Sequence, residues 1–128
     1  MKLPGERPHL PRQAAIDAYG DGGFRFAGMS HQGSLLSLPS GIWAWPINDP
    51  AQLSEELLGQ ILAEADAIDL LVLGTGRNPF MIAEALRLRL RDHAIVLDVM
   101  PTGAAVRTYN ILLGERRRVA AGLIAVAR

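Results

Sequence analysis

Partway along the chain the spacing of the apolar residues changes, and that change limits the fold more than any other feature. Beyond about residue 48, short runs that are apolar almost throughout alternate with longer stretches whose apolar residues recur every three or four positions. Asp69-Leu-Leu-Val-Leu73, ending in Gly74-Thr75-Gly76, has the pattern of a strand buried on both faces. Upstream, Leu53, Leu57, Leu58, Ile61 and Leu62 form a helical stripe, and Asn48-Asp49-Pro50 supplies an Asx cap and a first-turn proline, so a helix is expected over residues 50–65. Asn78-Pro79 predicts the start of a second helix over residues 79–91, with Phe80, Ile82, Ala83, Leu86 and Leu90 among its apolar positions. A second buried strand is expected over residues 94–99. Thr102 is then the expected N-cap of a third helix, residues 103–113, with Gly114 as its C′ residue. A last apolar strand spans residues 119–127, its direction left open.

The first half has the period of β structure. Residues 14–19 form an expected strand, Gly20-Asp21-Gly22-Gly23 is a strong turn signal, and Phe24-Arg25-Phe26 alternates as a strand does. Residues 34–38 and 42–45, separated by Pro39-Ser40-Gly41, make a hairpin or part of a meander. The order is thus an N-terminal antiparallel β-meander followed by alternating helices and strands, an α/β fold whose strands are largely parallel and covered by helices. Residues 1–12, which carry Pro4, Pro8 and Pro11, are expected to be an extended arm, and residues 13–128 a single domain.

Composition narrows the functional classes. Thirteen basic and thirteen acidic residues cancel, so no global field draws the chain to nucleic acid or an anionic membrane. The absence of cysteine excludes disulfides, thiol catalysis and cysteine-ligated metal sites. No apolar run approaches the roughly 20 residues of a membrane-spanning helix. The N-terminal sequence lacks an apolar signal region, which makes a cytoplasmic protein the expectation.

In open α/β sheets, ligands sit beyond the carboxyl ends of parallel strands. Two loops are expected there, Gly74-Thr75-Gly76-Arg77-Asn78 and Met100-Pro101-Thr102-Gly103. Glycines, a following helix N-terminus and Arg77 give the first loop the look of an anion site; a tight strand-to-helix turn explains the same residues. Asp98 ends the next strand, and Arg107, little more than a turn into the third helix, is expected to reach back to Asp98 or to the glycine loop with its guanidinium at least half buried. On that helix Val106, Tyr109, Asn110 and Leu113 share a face, so Asn110 is expected to be partly buried, either bracing a neighbouring loop or touching a ligand. His9, His31 and His93 lack metal-ligand spacing and have surface roles; no metal or cofactor is expected. Trp43 and Trp45 lie on one side of a strand, either as core under a helix or as an exposed adhesive face. Nothing in the chain spells out a catalytic set.

Leu97-Asp98-Val99-Met100, then Thr102, Ala105, Thr108-Tyr109-Asn110, Leu112, Glu115, Arg117, Ala120 and Leu123, together with the upstream Leu71-Val72-Leu73-Gly74-Thr75-Gly76, resemble the mitochondrial complex I assembly factor 3 family and its bacterial relatives of unknown function. The resemblance implies a three-layer α/β fold around a mixed sheet and no established enzymatic activity. It also implies protein partners, which for the mitochondrial members means assembly of respiratory complex I. Its candidate functional positions are Gly74, Thr75, Gly76, Thr102, Thr108, Tyr109, Asn110, Glu115 and Arg117. The chain departs from the family at Pro101, where an acid is frequent, at Val106, where a cysteine is, and at Arg116, where a glycine is. The residues and the resemblance leave two functions open. One is a non-catalytic binding or assembly protein with protein partners, a second copy of itself among the possibilities. The other is a binder of, or enzyme acting on, a small anionic ligand held in the crevice between the two loops.

Overall fold

A computed structural model describes residues 7–127. Three short strands come first: β1 (Ala18–Gly20), β2 (Gly23–Phe26) and β3 (Met29–Gln32), an antiparallel sheet of its own. Both of its turns take positive φ at consecutive residues, Asp21 (52°) and Gly22 (80°), then Ala27 (50°) and Gly28 (77°), the geometry that matches the right-handed twist of a tight hairpin. Sequence reading missed β3 and began β1 four residues early. Residues 14–17 are not a strand, although the Asp17 N–H still donates to the Arg25 carbonyl (2.7 Å).

β4 (Ser34–Leu38) and β5 (Gly41–Trp45) form the expected hairpin but belong to a second, five-stranded sheet of order β5-β4-β8-β6-β7. β6 (Leu70–Gly74) runs parallel to both β7 (Val96–Met100) and β8 (Val119–Leu123), and β8 is antiparallel to β4. The last strand therefore lies in the middle, joining the antiparallel half of the sheet to the parallel half.

The sheet is covered on both faces, which explains its apolar runs. On one face α1 (Glu55–Leu62) and α2 (Glu84–Asp92) cover Leu36, Trp43, Trp45, Leu71, Leu73 and Ile124. On the other, α3 (Thr102–Gly114) and the small sheet cover Leu35, Ile42, Val72, Val119 and Ala121. The architecture is the expected three-layer α/β fold with a mixed sheet. Both tryptophans are core; the rings of Trp45 lie so close to Gly122 that a Cβ there would come within 2.7 Å of them.

The helices are shorter than their periodicity suggests. The Asp49 cap closes only a single 3-10 turn, Pro50–Gln52, with its carboxylate accepting from Ala51 N (2.9 Å). Leu53 then takes extended backbone before α1 begins. The second helix starts at Glu84 rather than residue 79. Ile82, Leu86 and Leu90 are all buried at a spacing of four, so the apolar pattern crosses a stretch that is not helical. α2 and α3 both end in Schellman turns, with left-handed residues at Ala94 (φ 59°) and Arg116 (φ 61°). In the latter, Arg117 N donates to Leu112 O (2.9 Å) and Arg116 N to Leu113 O (2.9 Å). The C′ residue is thus Arg116 and not Gly114, which is still helical. Finally, β7 is an edge strand rather than a fully buried one, with Val96 and Asp98 exposed.

Candidate functional site

The carboxyl ends of β6, β7 and β8 meet at one residue. Thr102 opens α3 and is wholly buried. Its Oγ1 accepts from Gly76 N (2.9 Å) and donates to Ile124 O (2.7 Å), while its own N–H donates to Gly76 O (2.8 Å). It is not the N-cap of α3, a position held by Pro101; it ties the loop after β6 to the chain leaving β8. The glycine loop has a packing explanation as well. A Cβ on Gly74 would come within 2.9 Å of Thr102 Oγ1 and 3.1 Å of Ala105 Cβ, so the missing side chain admits α3. Thr75 is buried, and its hydroxyl donates to Asn78 O (2.7 Å), closing the turn.

This end carries a cleft of about 430 Å³, lined by residues 48–50, 75–80 and 124–127. The Met100–Gly103 loop expected as its second rim does not line it; the segment after β8 does, because β8 and not β7 lies on that side of β6. No helix begins at Pro79, so the dipole that would favour an anion beside Arg77 is absent. Arg77 is exposed and lines the cleft. Arg107 corrects another expectation: it is exposed, does not line the cleft, and makes no ion pair with Asp98 among the described residues.

The remaining positions separate. Thr108 Oγ1 lies 3.4 Å from the Met100 sulfur, on the sheet side of α3. Asn110 clamps the backbone of Ile16, accepting from its N–H (2.8 Å) and donating to its carbonyl (2.9 Å). That is the bracing role, and its target is the chain between the arm and β1. Tyr109, wholly buried, donates to Ala14 O (2.8 Å), which leaves Ser37 to donate to the phenol oxygen (2.7 Å). Ser37 Oγ in turn accepts from Gln13 Nε2 (3.2 Å), whose amide also donates to Val119 O (2.8 Å). Burial pushes the Tyr109 hydroxyl up to about 12, against the opposing effect of its two hydrogen bonds. Glu115 and Arg117 are exposed at the far end of α3, a helix about 20 Å long by its residue count. They do not share an end of the sheet with Gly74–Gly76.

Sequence reasoning missed two features. Phe80 and Met81, which fall within the expected helix span 79–91, stand in a non-helical stretch; Phe80 lines the cleft, and Met81, next along the chain, is 91% exposed. The His9 and His31 rings lie with centroids 4.5 Å apart at a tilt of 46°, joining the chain ahead of β1 to β3. Nothing in the sequence signalled either: Asn78-Pro79 reads as a helix start, and the histidine pair depends on where His9 is placed.

A three-layer domain with an open mixed sheet, and polar residues at the strand ends bonded within the fold, defines a class by its scaffold rather than by a reactive centre. The chain belongs to the family described as protein of unknown function (DUF498/DUF598), whose model matches residues 16–124. It is 36% identical to an uncharacterized protein of Rhodobacter capsulatus, over 94% of this chain and 89% of that one. It is 34% identical to NADH dehydrogenase [ubiquinone] 1 alpha subcomplex assembly factor 3 of Danio rerio, over 85% of this chain and 63% of that protein. The chain therefore spans about three-fifths of the length of that assembly factor. A crystal structure described as that of an outer membrane protein of Bartonella henselae superposes with a TM-score of 0.89 at 49% identity, over 92% of this chain and 99% of the other. Among the described residues, no helix is long and apolar enough to cross a membrane.

Proposed function

We propose that the chain is a non-catalytic, protein-binding assembly module acting on a respiratory NADH dehydrogenase, in a cytoplasmic setting. The observation that carries this reading is how its polar groups are used. Thr75, Thr102, Tyr109 and Asn110, the groups that would handle a small ligand, are bonded to the chain's own backbone, while Phe80 at the cleft and its chain neighbour Met81 are exposed. Exposed apolar side chains next to a concavity suit contact with a protein partner. The names of the relatives supply the partner class.

The test is a deletion strain of the source organism, with assembled NADH dehydrogenase followed on native gels and the tagged chain captured after cross-linking. The reading expects loss of the assembled complex, rescue by the wild type, and cross-links to subunits of that complex. Normal assembly in the deletion strain would overturn it. Met81→Asp, at a fully solvated position, is expected to weaken rescue while leaving Tm unchanged.

A further inference from the structure

The two edges of the main sheet are treated differently. At the β5 edge the segment around Leu10 pairs with the strand: His9 N donates to Ile42 O (2.7 Å) and Ile42 N to Leu10 O (2.9 Å). At the β7 edge nothing pairs among the described residues. The parallel register fixes which backbone groups are involved. Val96 N donates to Asp69 O (2.9 Å) and Thr75 N to Met100 O (2.9 Å), so Val96, Asp98 and Met100 face β6. Leu97 and Val99 therefore turn their N–H and C=O groups outward.

Beside this edge runs a groove of about 450 Å³ between α2 and β7. Its α2 wall is Glu84, Arg87, Leu88 and Arg91, and Leu88 is 44% exposed. Arg89 turns instead toward α1, 3.8 Å from Glu55, whereas Arg87 and Arg91 have no ion-pair partner among the described residues. Across the sheet, Val96 is 64% exposed and Asp98 is exposed on the same face.

We propose that the β7 edge accepts an extended segment of a partner protein as an added strand, and that this segment carries acidic residues on one face and apolar residues on the other. The proposal rests on the protein-binding reading above and names a surface and a chemistry for it. An added strand lies about 4.8 Å from β7 and points alternate side chains to opposite faces. On the α2 side these meet Arg87, Arg91 and the apolar Leu88, and carboxylates there gain two cations against the single Glu84. On the α3 side they meet Val96, and Asp98 disfavours acids. A second copy of this chain fits less well. Antiparallel pairing of two β7 edges is related by an axis normal to the sheet, which sets the two α2 helices side by side and opposes Arg87 and Arg91 to their own counterparts.

The probe is a short capped peptide alternating valine and glutamate, added to the full chain and followed by amide exchange and NMR shifts. At ten times its Kd, exchange at Leu97 and Val99 is expected to slow about tenfold by mass action. The valine–lysine counterpart is expected not to bind. A valine–glutamate peptide N-methylated at every residue, which has no N–H to donate from either edge, is expected to lose binding. Arg87→Glu with Arg91→Glu, both at exposed positions, is expected to reverse the preference between the two peptides. Unchanged exchange at Leu97 and Val99, equal binding by the N-methylated peptide, or protection of the two amides by self-association without peptide would each overturn the proposal. The two readings fail separately. If the double variant still captures NADH dehydrogenase subunits as the wild type does, the edge is not the site and the assembly reading survives. If the peptide docks while deletion leaves the complex assembled, the edge survives without that function.

Discussion

Thr102 and Asn110 show how much of this fold depends on single side chains bonded to distant backbone. Thr102→Val keeps the shape but leaves Gly76 N and Ile124 O buried without their partner. An orphaned buried group costs roughly 1–3 kcal/mol, so a clear fall in the urea midpoint is expected, with Thr102→Ser close to wild type. Asn110→Ala removes both bonds to Ile16 and is expected to cost roughly 1–3 kcal/mol by the same measurement. Arg116 predicts the opposite sign. It holds φ at 61° where glycine carries no Cβ penalty, so Arg116→Gly is expected to stabilise the chain by about 1 kcal/mol, at an unchanged denaturant slope. An unaltered midpoint would mean that the α3 Schellman turn is not under strain.

Between elements, two contacts respond to pH in opposite directions. Tyr109 joins α3 to β4 and to the chain before β1. Its hydroxyl holds its proton to about 12 when folded, against 10 when unfolded. The unfolded chain therefore releases protons first, and stability falls as pH rises from 10 toward 12. Tyr109→Phe is expected to flatten that alkaline loss in pH-dependent denaturation while lowering stability at neutral pH. His31, its ring tilted against that of His9, donates from Nε2 to Ser34 O (3.2 Å). Its pKa is held below the ordinary 6.5 chiefly by burial and then by the nearby His9 charge, against the Ser34 carbonyl. The unfolded chain then binds the extra proton, so stability present above 6.5 is lost on acidification and levels off below the folded value. His9→Ala is expected to raise the His31 pKa in an NMR titration; an unmoved or lower value would show that the two rings do not interact in solution.

Across the whole molecule, what could be read from the sequence divides by the range of the interaction that decides it. Strands β4, β5, β6 and β8 and the layering were legible, because burial prints an apolar run that needs no knowledge of neighbours; β7 shows the same run, but its place at the edge, with Val96 and Asp98 exposed, was not legible. Helical spacing alone placed Asn110 on the part-buried face but left bracing and ligand contact open; its two bonds to Ile16 decide between them. The start of α2 did not, because Ile82 keeps the four-residue period of Leu86 and Leu90 while the Thr75 hydroxyl closes the chain into a turn at Asn78. The two-loop crevice was misplaced for a related reason: it assumed that β7 bounds the cleft, and the strand order puts β8 there. Arg107 was misplaced for a local reason: Ala105, Val106 and Tyr109 take the buried face of α3 and leave Arg107 on the exposed one.

The central position of β8 also bears on synthesis. The hairpin β4–β5 and the pair β6–β7 are translated first, yet neither half of the sheet touches the other until Val119–Leu123 slots between them, with Leu36 opposite Gly122 on one side and Leu71 beside Ala120 on the other. A ribosome-bound chain stopped before residue 119 holds two unfinished half-sheets with open inner edges. Folding of this domain is therefore expected to wait until β8 clears the exit tunnel, and until then the nascent chain is a client for chaperones that bind exposed strands.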